Sequence, residues 1–229
     1  MFTLDRIVPW GRSFDEYTRM FALTDADLAG QILGCADGPA SFNAEATRRG
    51  SHVVSCDPLY AFDASQIRAR IAATSNDILE QTRQHRSEFV WGAIASPEDL
   101  LRLRMDAMDI FLSDYERGRD ERRYINAALP RLPFEDNAFD LACCSHFLFL
   151  YSEQLDEALH CAATAELCRV AGEVRIFPLL TLGGAPSPHV GPVAQHVRRA
   201  GWAVSIERVP YEFQRGGNQM MRITRTTTT

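Results

Sequence analysis

The sequence contains no lysine, so all 24 of its basic residues are arginine. This absence excludes Schiff-base enzymes, pyridoxal phosphate enzymes anchored by a lysine, and P-loop nucleotide hydrolases. The chain also has no C-x-x-C pair and no apolar run of 18 residues. We therefore expect neither a metal site nor a membrane-spanning helix.

The net charge and the positions of the cysteines further restrict the kind of protein and of partner that we expect. The net charge of -6 argues against general nucleic-acid binding and favours a small-molecule partner. The six cysteines lie mostly within apolar strand or helix patterns, so we expect reduced, buried thiols. The first residues do not have the pattern of a signal peptide, so we expect a cytoplasmic protein without a membrane partner. A chain of 229 residues is long enough for a single domain, residues 1–229. Nothing in it indicates an oligomeric state.

Residues 31–60 carry the most informative local pattern. Ile32 and Leu33 begin a buried strand, residues 34–38 are small enough for a tight turn, and a short helix and a second strand follow. Asp57 comes directly after the second strand, at the spacing of about 20 residues at which a carboxylate binds ribose hydroxyls in doubly wound folds. The pattern predicts a nucleoside ligand.

The glycines of this turn do not fit the dinucleotide fingerprint, because Gly34 and Gly38 are four positions apart and the next glycine is Gly50. A nicotinamide-dependent oxidoreductase is therefore the least favoured function. The turn instead resembles the first motif of class I S-adenosylmethionine-dependent methyltransferases, a strand ending in an acid and then G-x-G-x-G. Aligned on Gly38, the chain has Gly34 where the family has its acid, and Asp37 is the neighbouring candidate.

A second block, residues 132–146 (LPFEDNAFDLACCSH), resembles the segment that leads to the fourth strand of these methyltransferases. Ala128 occupies the position of the family's adenine-binding acid. The resemblance then implies that backbone groups of Ala128 and Leu129, or the side chain of Asn126, contact adenine. Ser145 and His146 end the strand and would lie at the sulfur end of the cofactor.

The last two strands, residues 202–209 and 218–225, have no helix between them and must pair as an antiparallel hairpin. The methyltransferase family has an antiparallel seventh strand beside its sixth. We therefore predict an α/β fold with a Rossmann-like class I methyltransferase sheet and an antiparallel last strand. The runs GGNQMMRI, FLFLY and GPASFNAE are also similar to bacterial proteins regarded as methyltransferases.

Two segments lie outside this pattern. Residues 1–29 are predicted to form a helical lid, in which Ser13 and Glu16 make a capping box. Residues 59–122 are predicted to form a helical insertion, with helices over 63–73, 76–91 and 97–116, that caps the ligand crevice. For both segments the alternative is plain packing against the sheet. Residues 123–128 are predicted to form the third strand, and residues 153–170 a helix that Gly172 ends. Asp63 and Ser96 are the predicted N-caps of two helices of the insertion.

The resemblance implies S-adenosylmethionine as cofactor, with S-adenosylhomocysteine as product, and an unidentified, small-molecule acceptor. It assigns cofactor binding to the turn, to the end of the second strand and to the two later sites: Gly34, Cys35, Ala36, Asp37, Gly38, Asp57, Pro58, Ala128, Leu129, Ser145 and His146. His146 is the candidate catalytic residue, and Trp10, Arg12, Tyr17 and Tyr151 are candidates for the lid and substrate contacts. The alternative function is non-catalytic binding of S-adenosylmethionine.

Overall fold

A computed structural model describes residues 9–226, so the first eight residues of the predicted lid lie outside the described part. The described residues form one seven-stranded sheet in the order β3-β2-β1-β4-β5-β7-β6. Its strands are β1 (Gln31–Cys35), β2 (His52–Cys56), β3 (Tyr124–Ile125), β4 (Phe139–Ser145), β5 (Ala171–Phe177), β6 (Trp202–Arg208) and β7 (Gln219–Arg225). The first five strands are parallel, and β7 runs antiparallel between β5 and β6. The predicted fold class is confirmed.

Seven α-helices accompany the sheet in the described residues. They are α1 (Phe14–Met20), α2 (Asp25–Ala29), α3 (Phe42–Arg48), α4 (Ala64–Gln84), α5 (Pro97–Asp120), α6 (Glu157–Val170) and α7 (Val190–Arg199). Ser13, Asp63 and Ser96 cap α1, α4 and α5 with their side chains, as their positions in the sequence predict. The described helices include none that is long and apolar enough to cross a membrane.

The insertion contains one long helix where the sequence predicts two. Residues 64–84 continue through Thr74 and Ser75, because both hydroxyls donate to carbonyl groups of the preceding turn, including that of Ile71. The insertion therefore consists mainly of two antiparallel helices, α4 and α5, which pack against each other.

Three element boundaries differ from the sequence prediction. Helix α6 begins at Glu157, because the Asp156 carboxylate accepts a hydrogen bond from the Leu159 amide and fixes the cap there. Gly172 does not end this helix but lies inside β5, which follows α6 without a loop. Strand β3 has only two residues, since the chain leaves the sheet beyond Ile125.

The hydrophobic core occupies both faces of the sheet. Neighbouring residues in a strand point to opposite faces, so Ile32 and Leu141 pack with α1 and α3, whereas Leu33 and Ala142 pack with α6 and α7. The insertion contributes a third core, in which the rings of Tyr60, Phe111, Tyr115 and Tyr124 are in mutual contact. Because β1 to β5 are parallel, their carboxyl ends lie at one edge of the sheet. This is the edge at which α/β folds bind ligands.

Candidate active site

A cavity of 720 Å³ lies at the carboxyl edge of the sheet. Its wall includes residues that follow four of the parallel strands: Gly38 after β1, Asp57 after β2, His146 after β4 and Pro178 after β5. The N-terminal segment, the insertion, the chain after β3 and the loop between β6 and β7 also contribute to the wall. This volume falls in the upper part of the range of about 300–1,000 Å³ that is typical of ligand pockets.

The turn after β1 exposes backbone to the cavity. Ala36 and Gly38 have positive φ angles of 57° and 53°, and the Ala36 amide donates to the Cys56 carbonyl at 2.9 Å. A Cβ atom added to Gly38 would meet no protein atom within 4 Å. Cys35, Ala36 and Gly38 therefore offer a ligand close access to the main chain.

The structure corrects the placement of Gly34, which lies inside β1 and does not line the cavity. A Cβ atom there would be 1.8 Å from an Asp37 carboxylate oxygen. Gly34 is needed because the Asp37 side chain folds back over the strand, where it accepts hydrogen bonds from Tyr17 (2.7 Å) and Ser55 (2.6 Å). Burial, with the charge of Asp57 as a smaller cause, raises the pKa of Asp37 to about 7.

Asp57 faces the cavity from the end of β2. One carboxylate oxygen accepts from the Gly38 amide at 2.9 Å, and the other accepts from the Leu59 amide at 2.7 Å. A carboxylate offers about four acceptor positions, so each oxygen retains one for a ligand. Burial raises the pKa of this carboxyl group, and the two amide hydrogen bonds oppose that rise.

The predicted adenine contacts separate into two groups. Ala128 and Leu129 line the cavity, as do Pro58 and the unpredicted neighbour Ala127. Asn126 is exposed and is not part of the cavity wall. Any contact with a base at this end would thus come from Ala128 and Leu129.

His146 lines the middle of the sheet edge and has a positive φ of 50°. Its amide donates to the Phe177 carbonyl at 2.7 Å, and its Nδ1 is hydrogen-bonded to the Ser145 hydroxyl at 3.0 Å. Burial and the positive charges of Arg12 and Arg104 hold the imidazole pKa well below its usual value. The ring is therefore neutral at physiological pH, and its Nδ1 is occupied by the Ser145 hydroxyl.

A chain of polar groups links this histidine to the turn after β1. The Tyr17 hydroxyl donates to Asp37 and also interacts with Ser145, which in turn contacts His146. Burial and the Asp37 charge raise the pKa of Tyr17 well above its usual value, so the phenol remains protonated. The chain thus connects two groups whose pKa values burial shifts in opposite directions, upward for Asp37 and downward for His146.

Helix α1 and the segment before it border the cavity. Trp10, Arg12 and Tyr17 all lie in its wall, as does Tyr151 from the loop after β4. The segment is anchored by an ion pair between Glu16 and Arg104 of α5, each only 1% exposed. Both guanidinium nitrogens of Arg104 contact the Glu16 carboxylate.

Three residues near the cavity were not predicted from the sequence: Arg104, Tyr211 and Phe213. Arg104 lies on the apolar face of α5, four residues from both Leu100 and Met108, and an arginine on such a face is a signal for a buried partner. Tyr211 and Phe213 line the cavity from the loop between β6 and β7. Their signal is the presence of two aromatic residues in a hairpin loop, where turn residues are expected.

The geometry of known metal sites is the reference for the metal-ligating side chains and the cysteines of the described residues. No group of three or more histidine, cysteine, aspartate or glutamate side chains is arranged to hold a metal ion in residues 9–226. All six cysteines are free thiols, and five of them are buried.

No protein-family model matches the chain. A search of curated proteins finds similarity to the uncharacterized protein MJ0045 of Methanocaldococcus jannaschii, with 31% identity over 216 residues that cover 94% of this chain and 95% of the relative. Among solved structures, the magnesium protoporphyrin IX methyltransferase of Synechocystis PCC 6803, crystallised with S-adenosylmethionine, matches with a TM-score of 0.50 at 10% identity. That match covers 93% of this chain and 78% of the other, and it shows that the two proteins share a fold.

Proposed function

We propose that this chain, which belongs to the same family as the uncharacterized archaeal protein MJ0045, transfers the methyl group of S-adenosylmethionine to a small-molecule acceptor. The observation that carries the proposal is the Asp57 carboxylate, held at the end of β2 beside the open Gly38 turn. The shared fold with a methyltransferase crystallised with S-adenosylmethionine supports it.

The chemistry of the cavity wall fits the cofactor. The free acceptor positions of Asp57 suit two ribose hydroxyls, and the exposed backbone at Ala36 and Gly38 suits the methionine part. Asp37, beside them, is the acid available to the methionine amino group. Ala128 and Leu129 would contact adenine. When bound, the cofactor would supply a methyl group already activated by the positive sulfur.

The task of the protein is then chiefly to position the acceptor and to exclude water. Positioning of this kind lowers a barrier by about 7–11 kcal/mol. Ser145 and His146 line the cavity after β4, and the neutral imidazole would orient an acceptor hydroxyl or amine, since its lowered pKa leaves it at most a modest base. Neither role requires a metal or a lysine.

We further propose that the insertion selects the acceptor. Arg70, Thr74 and Ile78 of α4 and Leu100 of α5 belong to the cavity wall, and they lie apart from the Asp57 turn along the chain. Loops and insertions on a rigid sheet commonly determine what an α/β enzyme accepts. The N-terminal segment would act with the insertion, because Glu16 and Arg104 join the two.

Non-catalytic binding of S-adenosylmethionine is the second candidate, because Gly34 and Ala128 stand where methyltransferases of this fold have acidic residues. Calorimetry with S-adenosylhomocysteine tests binding, and formation of S-adenosylhomocysteine from S-adenosylmethionine with pooled small-molecule acceptors tests turnover. Binding with turnover supports the methyltransferase. Binding without turnover in any pool supports the second candidate, and absence of binding overturns both.

A further inference from the structure

We propose that the methyl acceptor is an apolar organic anion whose negative group pairs with Arg12; this rests on the proposed methyltransferase function. The inference starts from a positive charge in the cavity wall that has no carboxylate hydrogen-bonded to it among the described residues. It continues with the apolar surface that surrounds that charge.

Arg12 lines the cavity and has few polar contacts. Its Nε atom is buried and has no hydrogen-bond partner among residues 9–226, while one Nη donates to the Trp10 carbonyl at 3.2 Å. Arg12 as a whole is half-buried, and the buried part of a guanidinium without a carboxylate is costly unless an anion compensates it. Burial and the nearby Arg104 accordingly lower the pKa of Arg12.

The acid that could neutralise Arg12 is engaged elsewhere. The Glu16 carboxylate accepts hydrogen bonds from Arg104 and, at 2.8 Å, from the Tyr211 hydroxyl. Two arginines thus share one carboxylate, and Arg104 takes both of its oxygens. One positive charge is left for a ligand, and guanidinium groups favour planar anions such as carboxylates.

The position of Arg12 favours the acceptor over the cofactor as the source of this anion. Ser13, the next residue, donates its amide to Glu16 at 3.0 Å, and Glu16 also accepts from Tyr211, before β7, at 2.8 Å. The Arg12 carbonyl accepts from the Ser41 amide at 3.0 Å. Asp57, which lies on the other side of β1 in the sheet order, takes its pKa shift from burial and from the amides of Leu59 and Gly38. The Arg12 main chain therefore lies beside the turn after β1, and its segment reaches through Glu16 to the β7 side of the cavity, where an acceptor has room.

The wall on that side is largely apolar. Ile78 and Leu100 come from the insertion, Leu182 follows β5, and Phe213 stacks on Phe89 at 4.8 Å between ring centroids. The stacked pair is fixed where the insertion meets the hairpin loop, because the Val90 amide donates to the Phe213 carbonyl at 2.7 Å. A ligand that fills this space must have an apolar body as well as a negative group.

Two fluorescent probes of nearly equal shape test the proposal: 8-anilinonaphthalene-1-sulfonate, an apolar aromatic anion, and N-phenyl-1-naphthylamine, its uncharged counterpart. Each is titrated against the full chain with and without saturating S-adenosylhomocysteine. Arg12→Met should weaken binding of the sulfonate by about 10- to 100-fold, the loss of one charge-assisted pair. The same variant should bind the uncharged probe as the wild type does, which also shows that its cavity is intact.

Matched variants locate the probes. Arg68→Met removes an exposed arginine of α4 that lies outside the cavity wall, and it should change neither affinity. Ala73→Asp places an anion in the wall and should weaken both probes, whereas Ala72→Asp, on the same helix but outside the wall, should not. If Ala73→Asp has no effect on either probe, the probes bind elsewhere and the assignment of this wall fails.

The remaining outcomes show whether the anion that Arg12 binds belongs to the acceptor or is the carboxylate of the cofactor. Equal affinity of wild type for the charged and uncharged probes, or an unchanged sulfonate affinity in Arg12→Met, overturns the proposal. If Arg12→Met loses more affinity for S-adenosylhomocysteine than for the sulfonate, Arg12 holds the cofactor carboxylate and the proposal is again overturned. Failure of the wild type to bind S-adenosylhomocysteine would refute the proposed function alone, because the probe titrations without it still report on Arg12.

Discussion

Replacing Asp57 with alanine tests the cofactor site most directly. The substitution removes both carboxylate oxygens from the end of β2, and with them the acceptors for the amides of Gly38 and Leu59. It also removes the two acceptor positions that we assign to ribose hydroxyls. Affinity and stability should therefore both change, and the two changes can be measured separately.

The magnitudes follow from the contacts. Two hydroxyl hydrogen bonds to a charged acceptor contribute about 2–4 kcal/mol, so affinity should fall roughly 30- to 1000-fold. The two amides border the cavity, where water can reach them, and their loss of an acceptor should cost about 1–3 kcal/mol in total. In a chain of this size that corresponds to a fall in Tm of roughly 2–12 °C.

Calorimetry with S-adenosylhomocysteine measures the affinity, at a temperature well below the unfolding transition of both proteins. Asp156→Ala is the matched control, because Asp156 is also an aspartate that caps a helix through one amide but is remote from the cavity wall. It should lose about 0.5–2 kcal/mol of stability and bind S-adenosylhomocysteine as the wild type does. Wild-type affinity in Asp57→Ala, or an equal loss in Asp156→Ala, would refute the assignment.

Three further substitutions test the turn and the histidine. Asp37→Asn should raise the free energy of unfolding at pH 8 and flatten its dependence on pH in urea titrations. Because the pKa of Asp37 is raised to about 7, the stability that this carboxyl group contributes to the wild type is complete below about pH 4 and lost by about pH 7. A shift of roughly 3 pH units corresponds to a free energy on the order of 4 kcal/mol. Gly38→Val should lose calorimetric binding of S-adenosylhomocysteine and also lower Tm, because valine is strained at a φ of 53°, whereas Gly34→Ala should chiefly lower Tm by displacing Asp37. His146→Ala should retain measurable turnover, since a general base contributes only about 10²- to 10⁴-fold.

Each of these has a contrary outcome. A pH dependence in Asp37→Asn that matches the wild type would mean that another group titrates between pH 4 and 7. Normal cofactor affinity in Gly38→Val would refute our placement of the turn against the ligand. Complete loss of turnover in His146→Ala, with S-adenosylhomocysteine still bound, would make the imidazole an obligatory base.

The parts of the site that are local in sequence could be predicted from it. Asp57 and Gly38 are 19 residues apart within one strand-turn-helix-strand unit, and the spacing alone places both at the carboxyl edge of a parallel sheet. The antiparallel β7 follows from the missing helix before it, and the helix starts at Asp63 and Ser96 follow from capping chemistry. In each case the physical cause acts over a few neighbouring residues or one connection.

The parts that depend on distant contacts could not be predicted. Arg104 meets Glu16 across 88 positions, and Tyr211 meets it across 195, so no local pattern indicates either contact. The family resemblance assigned Gly34 to the ligand, whereas its lack of a side chain serves the buried Asp37 carboxylate. That distinction depends on which way one aspartate turns, which is decided by the hydroxyls of Tyr17 and Ser55.

The same division between local and distant contacts separates the two binding tasks of the cavity. The Asp57 end is formed by short loops on β1, β2 and β3, so a substitution there should alter cofactor affinity whatever the acceptor. The Arg12 end exists only because the N-terminal segment, α5 and the hairpin loop meet, and the buried Glu16–Arg104 pair holds them together. Removing one partner of such a pair costs about 3–5 kcal/mol, so the acceptor end can be disturbed from residues that do not line it. Activity lost through Arg104 should therefore appear as weaker acceptor binding with the Asp57 turn still able to bind S-adenosylhomocysteine.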